Sequence, residues 1–142
     1  VRHAGKQEKL AWDEWLGLDD LPTLPWLKRL VRARRNVQTL APNGRARIVA
    51  ADAVEFVDEY CGMIDLLYLD ANGDRGRGKG IYLEILESAL PHMAPGALVL
   101  AHNSVNSAEK LTDYLAFVRD PEEMAASVNV ILDGEGLEVS AR

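Results

Sequence analysis

Three short apolar runs alternate with segments of helical period, and this alternation limits the chain to very few folds. Residues 47–51 (Arg-Ile-Val-Ala-Ala), 64–69 (Ile-Asp-Leu-Leu-Tyr-Leu) and 97–101 (Ala-Leu-Val-Leu-Ala) are short, and too apolar to leave a face in water. Between them, Ala53, Phe56, Val57 and Tyr60 recur at i, i+3, i+4 and i+7. Tyr82, Ile85, Leu86, Ala89 and Leu90 mark a second amphipathic helix, stopped before Pro91. Upstream, Thr23 before Leu24-Pro25 predicts a helix start, with Leu24, Leu27, Leu30 and Val31 as its apolar stripe. Downstream, Asn106 and Glu109 have capping-box spacing and open a helix carrying Leu111, Tyr114, Leu115 and Val118. Residues 128–132 and 137–140 read as two strands joined by a tight hairpin at Asp133-Gly134-Glu135-Gly136. The order predicts an α/β fold, a mostly parallel sheet flanked by helices and ending in an antiparallel hairpin.

Bulk properties bound the function classes. A chain of 142 residues, 48% hydrophobic and 27% charged, suffices for one globular domain, taken here as residues 1–142. A net charge of −6 argues against general binding to nucleic acid or to an anionic membrane. The basic residues Lys28, Arg29, Arg32, Arg34 and Arg35 share one helix and read as its solvated face. Trp12 and Trp15, three apart, read as packing residues with Leu16. The single cysteine, Cys61, has no partner for an internal disulfide, and no apolar stretch is long enough to span a bilayer. A cytoplasmic protein is the expectation.

The chemistry is expected at the strand ends, because ligands of open α/β sheets bind outside the carboxyl ends of the strands. Asp52, Asp70 and the trio His102-Asn103-Ser104 stand there. Asp52 with Glu55 also has capping-box spacing, so a purely structural role accounts for it equally well. Gly73, Gly78 and Lys79 match the G-x-x-x-x-G-K of a phosphate-binding loop, but Gly80 stands where a magnesium-binding Ser or Thr belongs. The glycines are better explained as freedom in a loop covering a site. A phosphoacceptor role for Asp70 would need an acidic pair after an earlier strand, and no strand-like run precedes Asp19-Asp20.

From Arg47 onward, the residues in their order resemble class I S-adenosylmethionine-dependent methyltransferases, in particular the catechol-type O-methyltransferases. Ala51-Asp52-Ala53 resembles that family's Gly-Asp-Ala segment. Residues 65–71 resemble its strand ending in a catalytic Asp, and Lys79 with Tyr82 its Lys-x-x-Tyr. Pro95-Gly96 and the run to Asn103 resemble its Pro-Gly-Gly turn, strand and closing Asp-Asn. The resemblance implies a Rossmann-like methyltransferase sheet and methyl transfer from S-adenosylmethionine to a small-molecule hydroxyl. It implies Asp52, Ala53 and Asp70 near the cofactor, and Asp70, Lys79 and His102 as catalytic residues. It also implies a divalent metal held by Asp70, His102 and Asn103.

Two departures qualify it. His102 replaces the family's second metal carboxylate, which suits magnesium poorly and zinc, iron or nickel better. Before Arg47 the only glycines are Gly5, Gly17 and Gly44, with no strand leading into a glycine-rich turn. The first two strands of such a sheet are therefore missing, which leaves unsatisfied strand edges. Truncation, a missing N-terminal or partner segment, a homodimer, or a degenerate remnant would each account for this. The competing function is a non-catalytic α/β module retained for association with another chain.

Overall fold

The computed structural model describes residues 25–73 and 76–142. The chain divides into two compact units, residues 1–50 and 51–142. In the first, helix α1 spans Pro25–Leu40. Leu27, Leu30 and Val31 are half-buried, while Arg29, Arg32, Arg34 and Arg35 are exposed, as the apolar stripe requires. The helix runs out into a turn in which Gly44 donates its N–H to Ala41 O (3.2 Å) at a φ of 75°. Thr23, Leu24, Trp12 and Trp15 lie outside the described residues.

The first expected strand does not form. Residues 46–50 are irregular, and Val49 is exposed. An apolar run becomes a strand only when a neighbour completes its ladder, and none of the described strand pairings includes these residues.

The second unit is a four-stranded sheet with helices on one face. Helix α2 (Ala53–Asp58) leads to β1 (Ile64–Leu69), α3 (Ile81–Ala89), β2 (Met93–His102), α4 (Thr112–Val118), β3 (Ala126–Val130) and β4 (Leu137–Ala141). The spatial order is β1-β2-β4-β3. β1 and β2 run parallel, and β4 is antiparallel to both β2 and β3. The mixed sheet and terminal hairpin agree with the sequence reading. Two boundaries differ. β2 starts at Met93, through Pro95-Gly96, and the extra residues are absorbed by an irregularity between Ile64 and Leu66. β3 ends at Val130, so the connection over 131–136 is a loop rather than a tight turn.

Register decides which side chains meet. Leu67, Val99, Ser140 and Ser127 form one row across the four strands, and Leu69, Ala101, Glu138 and Asn129 the next. These rows belong to the face that carries the core, with Tyr82, Ile85, Leu86 and Ala89 from α3 and Tyr114, Leu115 and Val118 from α4. The alternate rows, Leu66-Leu98-Ala141-Ala126 and Tyr68-Leu100-Val139-Val128, point the other way. Leu66 and Tyr68 are each 54% exposed there, so β1 is not buried on both faces as its apolar run suggests. The polar residues of β4, Glu138 and Ser140, lie on the covered face, the reverse of the usual alternation.

Burying Glu138 requires partners, and it has them. Arg119 at the end of α4 donates two hydrogen bonds to its carboxylate, both 2.7 Å, and Ser127 Oγ and Asn129 Nδ2 add one each. Burial pushes the Glu138 carboxyl up, but hydrogen bonds from Arg119, Asn129 and Ser127 outweigh it and hold the group below its ordinary value.

Candidate functional site

β1 and β2 are parallel neighbours, so their carboxyl ends lie side by side. Asp70 follows β1 directly and His102 closes β2. Asp70 and His102 therefore come together, and Lys79 joins them from the loop before α3. Gly73 donates its N–H to Gly78 O (2.7 Å), closing that loop, and Gly78 takes a φ of 52°. The closure turns Lys79 inward, where it is buried. Asp74 and Arg75 at the loop tip lie outside the described residues.

The Lys79 ammonium donates to Asp70 Oδ1 at 3.0 Å and to Tyr82 Oη at 2.9 Å. Tyr82, fully buried, donates a hydrogen bond from its hydroxyl to His102 O at 3.3 Å. It also meets Tyr114 edge to face, with ring centroids 5.8 Å apart. Tyr82 is thus a packed post that fixes Lys79 three residues earlier, one helical turn away. Burial lowers the Lys79 pKa, but hydrogen bonds to Tyr82 and Asp70 reverse the sign and leave it raised. Asp70 is held below the ordinary carboxylate value, first by the hydrogen bond from Lys79. Both are charged at neutral pH, and Lys79 is a cation here rather than a free base.

His102 bridges this pair to the hairpin loop. Its Nε2 lies 2.8 Å from Glu135 Oε2, and its Nδ1 lies 3.6 Å from Asp70 Oδ1. An ionised carboxylate only accepts, so Nε2 carries the proton toward Glu135. Nδ1 is buried and has no hydrogen-bond partner, since 3.6 Å is beyond hydrogen-bond range. Glu135 was not singled out in the sequence. It reaches the site because Asp133 Oδ1 accepts from the Glu135 and Gly136 N–H groups (2.9 and 3.1 Å) and shapes the loop tip.

The other expected residues are placed as follows. Asp52 caps α2, accepting from Val54 N–H (2.9 Å) and Glu55 N–H (3.3 Å) through Oδ1, while Ala53 starts the helix. Asn103 takes a left-handed φ of 67° and turns the chain away from β2. The Asn106–Glu109 cap does not form. Ser107 stands at the cap position of a 3-10 turn at Ala108–Leu111 with no side-chain cap bond, and Asn106 N–H is instead directed to Glu135 O (3.4 Å).

The metal implied by the resemblance does not fit this arrangement. The Lys79 ammonium already sits on Asp70 Oδ1, the oxygen facing His102, so an ion there would have to displace a buried positive charge. Glu135 is on the far ring nitrogen. Among the described residues no group of three or more His, Cys, Asp or Glu side chains could hold an ion.

Asp52 stands exposed at a helix start, and its Oδ2 takes no hydrogen bond from the described residues. An acceptor remains there for an amine.

No protein-family model matches the sequence, and no curated protein matches it. Solved structures do. A candidate O-methyltransferase from Klebsiella pneumoniae superposes with a TM-score of 0.61 at 16% identity, over 77% of this chain and 55% of its own. A candidate caffeoyl-CoA O-methyltransferase from Staphylococcus aureus gives 0.58 at 19% identity, over 78% of this chain and 57% of its own. The chain thus spans little more than half the length of these neighbours. With them it shares a class I methyltransferase-like, Rossmann-like fold.

Proposed function

We propose that this chain is the catalytic-side portion of an S-adenosylmethionine-dependent O-methyltransferase acting on a small-molecule hydroxyl. One observation carries the reading: the row of polar side chains Lys79, Asp70, His102 and Glu135 at the adjoining ends of two parallel strands, where such sheets bind ligands. The similarity in fold to two O-methyltransferases supports the same direction.

S-adenosylmethionine, when bound, supplies an electrophilic methyl group on a sulfonium. The acceptor oxygen forms the new bond to that methyl carbon as the carbon–sulfur bond breaks, and the electron pair stays on sulfur. The acceptor's proton leaves to the Asp70 carboxylate, half-exposed at the end of β1, with His102 beside it. Lys79, held as an ammonium, stabilises negative charge growing on the acceptor oxygen. Tyr82 keeps Lys79 in place. Asp52, with its free Oδ2, is assigned to the adenine end beside Ala53. By occupying Asp70 Oδ1, the ammonium takes the electrostatic role that an ion would otherwise fill.

The test is methyl transfer from labelled S-adenosylmethionine to a panel of phenols and alcohols. Lys79→Met should cut kcat while leaving the KM for the cofactor nearly unchanged, because the ammonium acts on the deprotonated acceptor oxygen and not on the cofactor. Transfer at the parent rate by Lys79→Met would remove the lysine from the chemistry.

A further inference from the structure

We propose that Asn129 is a positioning residue for this site, working through Ser104 to hold the loop that carries His102 and Asn103. The inference rests on reading residues 70, 79 and 102 as the reactive centre. Asn129 has no hydrogen bond to any of them. It sits on β3, the edge strand two places from β2, and was outside every site expectation.

Both N–H bonds of the Asn129 amide are committed: one to Ser104 Oγ and one to Glu138 Oε2, each 2.7 Å. At the far end Glu138 is clamped by Arg119 and Ser127 and is fully buried. Arg119, Glu138, Asn129 and Ser104 thus form a polar rod across the covered face of the sheet. Its free end is Ser104, 3% exposed, two residues after His102 and next to the left-handed Asn103. Asparagine tolerates this left-handed conformation, so the position of the loop depends on what ties it down. The backbone alone holds the loop less firmly. Of its bonds to the hairpin loop, Ser104 N–H to Gly136 O and Asn106 N–H to Glu135 O are long at 3.4 Å and Val105 N–H to Glu135 O is 2.8 Å, while Ser107 N–H to Asn103 O (3.1 Å) only closes the loop on itself. The rod ties the loop to the rigid sheet, and the Val105 bond ties it to the hairpin loop that presents Glu135 to His102.

A buried network of this kind also contributes stability, and Ser127 separates the two roles. Ser127 Oγ bonds both Glu138 and Ser140 on the side away from Ser104. Ser127→Ala should therefore cost stability without moving the site.

The experiment compares Asn129→Ala, Ser104→Ala, the double variant and Ser127→Ala in the full chain, reading the ring nitrogens and Nε2–H proton of His102 by NMR. Expected are a shifted or lost Nε2–H signal in both single variants on the Ser104 branch, no further change in the double variant, and a parent-like signal in Ser127→Ala. With a working methyl-transfer assay, Asn129→Ala should also lose kcat, by up to about a hundredfold, at constant cofactor KM. Parent-like His102 signals in folded Ser104→Ala and Asn129→Ala would overturn the proposal, as would an equal shift in Ser127→Ala. If Asn129→Ala does not fold, the smaller Ser104→Ala change decides alone. The NMR reading needs no cofactor, so failure of the parent to bind S-adenosylhomocysteine would refute the enzyme reading and leave this result separate.

Discussion

Lys79 and Asp70, nine residues apart across a glycine-rich loop, are joined by a 3.0 Å ion pair in which the lysine is buried and the aspartate half-exposed. The pair explains why that loop is folded back on itself. It also sets the local charge: a fixed cation beside a carboxylate that stays ionised.

The first consequence concerns pH. Asp70 has a folded pKa below its unfolded value, chiefly through the Lys79 hydrogen bond. Its contribution to stability is therefore present above the unfolded carboxylate value and lost as pH falls through the depressed folded one. Lys79→Gln should move the Asp70 carboxyl titration upward, as read by carbon NMR. An unmoved titration would assign the depression to something other than Lys79.

The buried Glu138 gives a larger effect. Arg119→Ala leaves a fully buried carboxylate without its cation, at a cost of about 3 kcal/mol, the lower end for broken buried pairs because the Arg119 side chain is half-exposed. Glu138, held low in the parent, should then titrate higher, and acid unfolding should begin at a higher pH. Thermal melts across a pH series check both the size and the direction.

Gly136→Ala should destabilise the hairpin loop. Its φ is 73°, and an added Cβ would lie 2.4 Å from Val105 Cγ2 and 2.9 Å from Ser104 Oγ. Relief requires moving the loop that follows His102. The expected loss is about 1–3 kcal/mol in urea unfolding, and a parent-like midpoint would mean the loop gives way freely.

Much of this was legible in the sequence, and the exceptions have physical causes. Asp70 and His102 could be placed because strand ends converge whenever the strands are parallel neighbours, and the capping role of Asp52 followed from its spacing to Glu55. Glu135 could not be found, because a glutamate in a turn reads as solvated and its contact with His102 spans most of the C-terminal third. Glu138 and Ser140 follow an alternating pattern whose phase only the register fixes. Residues 47–51 have the composition of a buried strand, but composition carries no information about whether a ladder partner is present. The Asn106–Glu109 spacing failed because Asn106 N–H is directed to Glu135 O instead.

The metal question has a direct answer in an assay. With the Lys79 ammonium on Asp70 Oδ1, chelator treatment should leave methyl transfer intact, and added magnesium, manganese or zinc should not raise it. Activity lost to chelator and restored by one of these ions would show that the ammonium yields its place to a cation.

The central claim is that Asp52 and the ends of β1 and β2 belong to a cofactor site, and calorimetric titration of S-adenosylhomocysteine into the purified protein tests it most directly. The account predicts heat that saturates at one site, and weaker binding by Asp52→Asn with helix content unchanged, since asparagine caps about as well as aspartate. No heat from a folded parent protein, or equal affinity in parent and Asp52→Asn, would contradict it.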